Sequence, residues 1–412
     1  MPRRCSDGLT FGAATAGVGA AVIAVAVVGC QVASTDNGCQ VARQLVLPDT
    51  TPLALISDVQ IERVGSGFVL LGADATSVRW AAIDATGTFG TEQAFPLPAG
   101  TLHAYYGLAG VDSPGDRVII GLLTPAANGS DAELHLVAAP IDGSPPPPPG
   151  IAIATFGGGA NPQSPPSIAM GTSASGMYAG VAWIDTGPLL PTYAFVDAHG
   201  ELVGQPAVID SEPAAGFGCL GFGAGKEELT ISYQRAPLDS RLGPTWLIAD
   251  VMVGGGVGTL KLNVALLGGI MSCARSILYT PPGGGPPEYA MVWQDKSGSW
   301  LSVYYGPQTN MVKSFPFASA TDFGGSGLQP PLAGVATFGN DFGVLFARPR
   351  SVELWRIDQA GNRRPGTLVL SSRQGDIGAV SSVASTGLLT STYADLTGAG
   401  MGRRLVIDAA CY

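Results

Sequence analysis

Short apolar runs alternate with clusters of Gly, Pro, Asn, Asp and Ser along most of the chain. Some runs are strongly apolar, such as Phe68–Leu71 and Phe342–Phe346, and others consist mostly of small residues, such as Ala379–Ala384. Runs of about 4–8 residues that are rich in β-formers and bounded by turn residues predict strands. No stretch after residue 40 keeps the apolar period of about 3.6 residues that marks a helix, so the pattern predicts an all-β protein.

A third kind of run ends in Asp and is followed by a Gly-containing turn. The clearest case is Leu354–Asp358, with Gly361 three residues later. The same pattern ends at Asp84 and Asp197, weaker copies end at Asp142 and Asp250, and a last copy ends at Asp408, close to Tyr412. An Asp in this position accepts a hydrogen bond from the backbone two residues on and fixes a hairpin. We therefore interpret the repeated Asp as a structural feature of turns, in preference to a metal or acid–base site.

The spacing of these Asp residues reveals a repeat. Successive gaps are 58, 55, 53, 108 and 50 residues, and the mean period is 54 residues. The gap of 108 covers two periods, and the run Ser299–Gly306 stands where the missing copy is expected. Each unit reads as four strands: a small-residue strand, a strongly apolar strand, the Asp-bearing strand and a more polar strand. Seven such antiparallel units predict a seven-bladed β-propeller, whose small-residue strands line the central channel because space is tight there.

The two ends of the chain are predicted to meet in the last blade. The seventh unit has only three strands, at Ile377–Val383, Leu388–Tyr393 and Arg404–Asp408. The segment Val41–Pro48 belongs to no other unit and resembles a fourth strand. We expect it to complete the seventh blade, because closure removes the open strand edges that the termini would otherwise leave. The propeller domain is then predicted to comprise residues 39–412.

The N-terminus has the organisation of an export signal. Arg3 and Arg4 precede an uncharged segment whose apolar part is Ala20–Val28. A basic start before a short apolar run indicates a secretory signal peptide. The run ends in Val-Val-Gly-Cys at Val27–Cys30, which resembles the lipobox of bacterial lipoproteins.

The resemblance implies a signal peptide at residues 1–29, a lipid on Cys30 and a short polar tether over residues 30–38. Gln31 follows the Cys, which is similar to lipoproteins sorted to the outer membrane. The implied location is the cell envelope, with the protein on the outer membrane and facing the periplasm or the exterior. The alternative is an uncleaved membrane helix, because the uncharged segment is long enough to span a bilayer. Both interpretations tether the rest of the chain to a membrane, outside the cytoplasm.

Four cysteines remain besides Cys5 and Cys30, and in an exported chain an even set predicts disulfides with three alternative pairings. Closure of the ring favours Cys39–Cys411, because these residues lie at neighbouring ends of the paired strands. Cys219 and Cys273 are one period apart, in matching positions of adjacent units, and form the second predicted pair. A zinc site is disfavoured because no paired Cys spacing and no nearby His occur.

The charged residues exclude one class of partner and identify no active site. The formal net charge is −10 and no basic stripe occurs, so a nucleic-acid partner is not expected. His103, His135 and His199 are expected in different units, at the surface or in turns. No Gly-x-Ser-x-Gly nucleophile motif occurs. We therefore assign no catalytic, metal or cofactor residue and expect no cofactor.

Two further motifs have alternative interpretations. The run Pro145–Pro149 is expected to be a stiff exposed connector, although such a run also suits an aromatic groove on another protein. The pairs Tyr105–Tyr106 and Tyr304–Tyr305 are expected to pack within blades, although they also suit stacking on sugars.

Three functions fit these predictions. The first is a lipid-anchored, non-catalytic binding or scaffold module for an unknown protein or glycan ligand. The second is a glycan-directed hydrolase or lyase with its site at the channel mouth. The third is a component of an outer-membrane complex. Two carboxylates, or a His and a carboxylate, converging on one end of the channel would favour the enzyme.

Overall fold

The structure, a computed structural model, describes residues 32–33, 39–47, 51–56, 58–64, 67–110, 117–144, 150, 152–161, 166–172, 177–221, 228–235, 245–253, 257–260, 275–279, 288–294, 298–305, 313–323, 332–349, 351–371, 376–385, 388–397 and 400–411. Its regular elements are β-strands and two short 3₁₀ helices, Pro52–Leu55 and Ala320–Phe323. Within these ranges no helix is long and apolar enough to cross a membrane.

The strands fall into seven blades, numbered in chain order. Two strands come first: β1 (Val32–Ala33) and β2 (Cys39–Val46). Blade one contains β3 (Val59–Val64), β4 (Gly67–Ala73), β5 (Ser77–Ile83) and β6 (Gln93–Pro96). Blade two contains β7 (His103–Ala109), β8 (Arg117–Pro125), β9 (Ala132–Pro140) and β10 (Ala152–Phe156). Blade three contains β11 (Ile168–Thr172), β12 (Ala179–Ile184), β13 (Pro191–Val196) and β14 (Ala207–Val208).

The second half continues the pattern. Blade four contains β15 (Ala214–Gly221), β16 (Glu228–Arg235), β17 (Thr245–Met252) and β18 (Val257–Leu260). Blade five contains β19 (Arg275–Tyr279), β20 (Glu288–Gln294), β21 (Ser299–Tyr305) and β22 (Lys313–Ala318). Blade six contains β23 (Leu332–Phe338), β24 (Asp341–Ala347), β25 (Ser351–Ile357) and β26 (Leu368–Ser371). The last three strands are β27 (Asp376–Ser385), β28 (Leu388–Thr397) and β29 (Gly400–Cys411).

The sheet topology confirms the predicted seven-bladed β-propeller. In blades one to six, four consecutive strands pair in antiparallel order. The first strands of neighbouring blades contact one another, among them β7 with β11, β23 with β27, and β27 with β3. The contact between β27 and β3 joins the last blade to the first and closes the ring. The seven first strands therefore surround the channel, as their small residues predicted.

The N-terminal strand completes the last blade, as predicted. β2 pairs with β29, from Cys39 opposite Cys411 to Val46 opposite Leu405, in the sheet order β2-β29-β28-β27. Leu45 and Leu47 then pack against Ile61 of blade one, in the core of the seam between blades seven and one. The N-terminal segment therefore contributes both backbone pairing and buried side chains to ring closure.

Three details differ from the expectations. Val32 and Ala33, expected within a free tether, pair with Val369 and Leu368 and give blade six a fifth strand. Asp250 and Asp408 do not end their strands: Asp250 pairs with Thr230 inside β17, and Asp408 pairs with Thr390 inside β29. These strands continue because partner strands extend alongside them. No Gly-bearing turn follows either Asp directly.

Adjacent inner strands approach closely enough to require small residues. A Cβ on Gly107 of β7 would lie 2.9 Å from the backbone carbonyl carbon of Gly171 in β11. Next to this contact, the Leu108 N–H donates a 2.9 Å hydrogen bond to the Thr172 hydroxyl. Side chains therefore cannot separate the two strands here, and a buried hydroxyl links blades two and three.

We predict that Gly107→Ala lowers the free energy of unfolding by about 1–3 kcal/mol, because the added methyl forces two backbones apart. Urea unfolding followed by tryptophan fluorescence measures the loss. Gly187→Ala is the matched control, since a Cβ there meets nothing within 4 Å. Equal stability of the two variants would contradict the close approach of β7 and β11.

Candidate functional site

The propeller has two ends, which we name by the first strands. The upper end is where the first strand of each blade begins, and it also carries the turns between second and third strands. The lower end is where each first strand finishes, and it carries the turns between third and fourth strands. Because the strand order repeats in every blade, equivalent turns lie at the same end.

Three Asp-bearing turns at the lower end have the same geometry. In each, the main-chain oxygen of Asp accepts a hydrogen bond from the Gly three residues on, and the carboxylate accepts one from the N–H four residues on. The carboxylate contacts are Asp84 to Thr88 at 2.8 Å, Asp197 to Glu201 at 3.1 Å, and Asp358 to Asn362 at 2.8 Å. The three glycines have φ of 90°, 79° and 81°, a region that favours Gly. These turns fit our structural interpretation of the repeated Asp.

Hydrogen bonds lower the pKa of two of these carboxylates, Asp84 and Asp358. Hydrogen bonds from Thr86 and Thr88 lower the pKa of Asp84. Burial by itself raises the pKa of Asp358, but hydrogen bonds from Asn362 and Ala360 outweigh burial and lower it. A carboxylate with a lowered pKa is a poor general acid at neutral pH.

Arginine binds further carboxylates between strands. In blade six the buried Asp341 accepts a 2.6 Å hydrogen bond from Arg356 Nε and a 3.0 Å hydrogen bond from Arg364 Nη2. In blade one, Arg79 Nε donates to Asp74 at 2.9 Å and its Nη1 donates to Glu92 at 3.1 Å. These ion pairs link turns to strands.

A polar cluster joins blades three and four at the upper end. Asp210 follows β14, and its Oδ2 accepts hydrogen bonds from the Tyr233 hydroxyl at 2.8 Å and from the Arg235 guanidinium. Burial raises the pKa of Tyr233, and the neighbouring Asp210 raises it further. The cluster therefore holds a neutral phenol against an ion pair and connects the two blades.

The histidines do not form an active site with the described carboxylates. His103 and His135 were expected in different units, but both lie in blade two, in β7 and β9, because one period contains both residues. His135 Nδ1 is 3.0 Å from the Gly150 carbonyl oxygen, and its Nε2 is 3.3 Å from Glu133 Oε2. This pair lies on the third strand, away from the channel. His199 lies in the Asp197 turn, where its N–H donates to that carboxylate at 2.8 Å.

Within the described ranges, no group of three or more His, Cys, Asp and Glu residues could hold a metal ion. The described carboxylates thus serve turns and ion pairs, and the described His–carboxylate pair has both ring nitrogens engaged. We find in this part of the chain no convergence of the kind that would favour the enzyme.

Three exposed leucines mark the upper end of blades one to three, and we call them the upper-end leucines. Leu55 ends the helix before β3 and is 56% exposed, and Leu102 directly precedes β7 and is 39% exposed. Leu189, in the turn between β12 and β13, is 46% exposed and has φ of 58°. A non-Gly residue in this region is strained, and such strain is concentrated at functional positions.

Two aromatic residues, His103 and Tyr105, follow Leu102 in β7. The rings of His103 and Tyr105 are tilted by 56° to each other with centroids 4.6 Å apart, and burial raises the pKa of Tyr105 to about 12. Tyr106, in contrast, is buried and its hydroxyl donates to the Asp58 carbonyl at 3.2 Å. Of the tyrosines considered for sugar stacking, Tyr105 is half-buried, and Tyr106 packs in the core between blades one and two, in line with the expected packing role. The side chains of Tyr304 and Tyr305 and the run Pro145–Pro149 lie outside the described part.

The predicted cysteine sites are only partly within the described chain. Cys39 is 3% exposed, in the core between blades six and seven, and its backbone lies directly opposite Cys411. Cys219 lies in β15, opposite Ser232. Cys30 and Cys273 fall outside the described residues, as does the signal segment 1–29.

The comparisons with known proteins agree with the fold. No protein-family model matches the chain, and neither does any curated protein sequence. The chain is similar to the polysaccharide lyase Uly1 at 9% identity, over 90% of this chain and 99% of the lyase chain, with a TM-score of 0.52. At this identity the likeness shows the fold alone.

Two further solved structures match with lower TM-scores. The WD40 domain of Toxoplasma gondii coronin matches at 8% identity over 92% of this chain and 88% of that chain, with a TM-score of 0.43. A prolyl endopeptidase matches at 11% identity over 87% of this chain, with a TM-score of 0.47, and this chain spans 51% of that one.

We predict that the protein loses stability in acid and that the Asp turns contribute to the loss. A carboxyl group whose folded pKa lies below its unfolded value of 3.8 stabilises the fold above that value. This contribution disappears as pH falls through the folded pKa. Thermal unfolding from pH 7 down to about pH 2.5 should show a falling midpoint below about pH 4. Asp358→Asn should show a shallower decline than wild type.

Asp58→Asn is the control for that experiment, because it removes an exposed carboxylate that lies outside the Asp turns. It should keep the decline of the wild type. Parallel curves for wild type and Asp358→Asn would contradict the proposed contribution of the ionised turn.

Proposed function

We propose that this chain is a lipid-anchored binding or scaffold propeller of the cell envelope, which recognises a partner through the upper end of blades one to three. The observation that carries the binding role is the exposure of the upper-end leucines on a rigid, closed ring. Exposed apolar side chains cost free energy in water, and grouped on one face they mark interaction sites. Loops held by a rigid scaffold suit recognition.

The surroundings of the leucines define the chemistry of the partner. Asp74, Asp131 and Asp185 lie in the upper-end turns of the same three blades. Hydrogen bonds lower the pKa of Asp131, from the Gly158 N–H first and from Asn128 next. Side chains Trp183 and Thr192 donate to Asp185. Exposed leucines at the same end as these carboxylates, of which Asp74 is paired with Arg79, fit a protein segment that carries both apolar and basic side chains.

We predict that peptides with apolar and basic side chains bind the detergent-solubilised protein and that Leu189→Ser lowers their affinity. Phage-displayed random peptides provide the probe, and isothermal titration of an enriched peptide measures the change. Loss of a buried leucine contact should weaken binding by roughly tenfold or more, the effect of about 1.5–3 kcal/mol. Met177→Ser is the matched control, because Met177 has a similar exposure of 48% but lies at the lower end of blade three, between β11 and β12.

Enrichment that is equal for wild type and Leu189→Ser would contradict recognition at the upper end. A separate assay incubates the protein with a panel of polysaccharides. Binding and cleavage of a polysaccharide, without peptide binding, would favour the alternative function, a glycan-directed hydrolase or lyase with its site at the channel mouth. Recovery of the same outer-membrane proteins with wild type and with Cys30→Ala would favour a component of an outer-membrane complex that binds independently of its anchor.

The lipid anchor is proposed from the signal that ends at Cys30. Export also gives the ring access to oxidation, and we propose a Cys39–Cys411 disulfide across the strand pair that closes blade seven. The opposed backbone positions support this pairing. Cys219 and Cys273 form the second proposed bridge, supported by their spacing of one period.

We predict that a tryptic digest of the Cys30→Ser chain, made without reductant, contains one peptide pair joining Cys39 to Cys411. Mass spectrometry before and after reduction identifies it. The double variant Cys39→Ala with Cys411→Ala should have a free energy of unfolding lower by about 2–5 kcal/mol. Reductant should lower the stability of wild type. It should not change the stability of a triple variant that also carries Cys219→Ala, because that variant lacks both proposed bridges. Cys39 found joined to Cys219 or Cys273 would contradict the proposed clamp.

A further inference from the structure

We infer that the outer rim of blade six lies against the membrane, where Arg363 and Arg364 meet the phosphates of anionic lipid headgroups. We call the segment 361–371, together with β1, the membrane rim. The inference rests on the proposed lipid at Cys30, and it adds the orientation that the ring takes on the bilayer.

The first supporting observation is the length of free chain between the lipid and the ring. Val32 pairs with Val369 of β26, so the chain joins blade six only two residues after Cys30. Two extended residues span roughly 7 Å. A lipid on Cys30 therefore holds the rim of blade six at the bilayer surface and leaves the ring little freedom to turn another side toward it.

The second observation is the distribution of charge around the ring. Residues 51–260, which contain blades one to four, have 19 acidic and 6 basic residues. Blades six and seven, residues 39–46 and 332–411, have 6 acidic and 9 basic residues. Anionic headgroups attract the basic sector and repel the acidic one. The basic sector is also the one that β1 joins.

Arg363 and Arg364 place positive charge on the rim itself. Both lie in the turn that directly precedes β26, the strand that pairs with β1. Arg363 is exposed, with its guanidinium 3.5 Å from the centre of the Trp355 ring and a hydrogen bond to the Thr367 hydroxyl. Arg364 binds Asp341, yet its side chain is 50% exposed. A guanidinium has five N–H donors, so each keeps donors for a phosphate.

The lipidated full-length protein, reconstituted in vesicles, provides the test. Hydrogen exchange is measured in phosphatidylcholine vesicles with and without phosphatidylglycerol. We expect phosphatidylglycerol to slow exchange in 361–371. The Asp84 turn of blade one is an internal control, because its N–H groups have equivalent hydrogen bonds but lie in the acidic sector. Slowing in 84–92 or at the upper end, or no slowing in 361–371, would overturn the inference.

A charge variant isolates the role of the two arginines. Arg363→Gln with Arg364→Gln should abolish the slowing, whereas Arg363→Lys with Arg364→Lys should retain most of it. In co-sedimentation of the unlipidated Cys30→Ser chain with phosphatidylglycerol vesicles, the Gln pair should bind roughly 30-fold more weakly, the effect of about two surface charges. Thermal unfolding confirms that both variants fold. Equal behaviour of the Gln and Lys pairs would overturn the inference.

The same experiments separate this inference from the anchor proposal. The mass of the peptide that begins at Cys30 reports the lipid directly. An unlipidated Cys30 disproves the anchor, and co-sedimentation of the unlipidated chain still decides whether the rim binds phosphate headgroups. A lipidated Cys30 without slowing at 361–371 supports the anchor and disproves the orientation.

Discussion

The pairing of β2 with β29 is the constraint on which the rest of the structure depends. Residues 39–46 supply the fourth strand of blade seven, and the same segment leads into the core between blades seven and one. Without it, β29 would present a row of unpaired backbone groups at the outer edge of its blade. The contact between β27 and β3 closes the ring on the inside, and β2 secures it on the outside. Strand pairing and side-chain packing thus act at the same seam.

This closure joins residues that are 372 positions apart, from Cys39 to Cys411. The entropy cost of closing a loop rises only slowly with its length, so such a distant pairing costs little more than a much shorter one. The six blades between these ends each form from consecutive strands, and their contacts are local in sequence. The distant pairing therefore adds one long-range contact to blades built from local ones, and the closely spaced inner strands fix where the loops stand.

The sequence repeat made the propeller architecture predictable. The expectations that differ from the structure concern segments that depart from the repeat. The Asp turns of blades one, three and six follow from local chemistry, because an Asp with a Gly three residues later forms the same hydrogen bonds in all three. Asp250 and Asp408 end apolar runs of the same kind, but no Gly stands three residues after either, and their strands continue beside extended partner strands. That extension is a tertiary effect. β1 has two residues, too few to produce an alternating pattern, and it pairs with the outer edge of β26.

The candidate binding face could not be predicted in the same way. Leu55, Leu102 and Leu189 stand in three different kinds of connection, so no spacing in the sequence relates them; the ring brings them to one end. The positions of the blades in the ring also show which charged residues lie near one another in space. Counted along the chain, the acids and bases show only a gradient, but the circular order places the basic blades six and seven beside β1 and the N-terminal connection. The upper-end leucines belong to blades one to three, in the acidic sector. A ring held to a membrane at blade six would therefore keep its apolar recognition surface on the side that anionic lipids repel, where a protein partner can reach it.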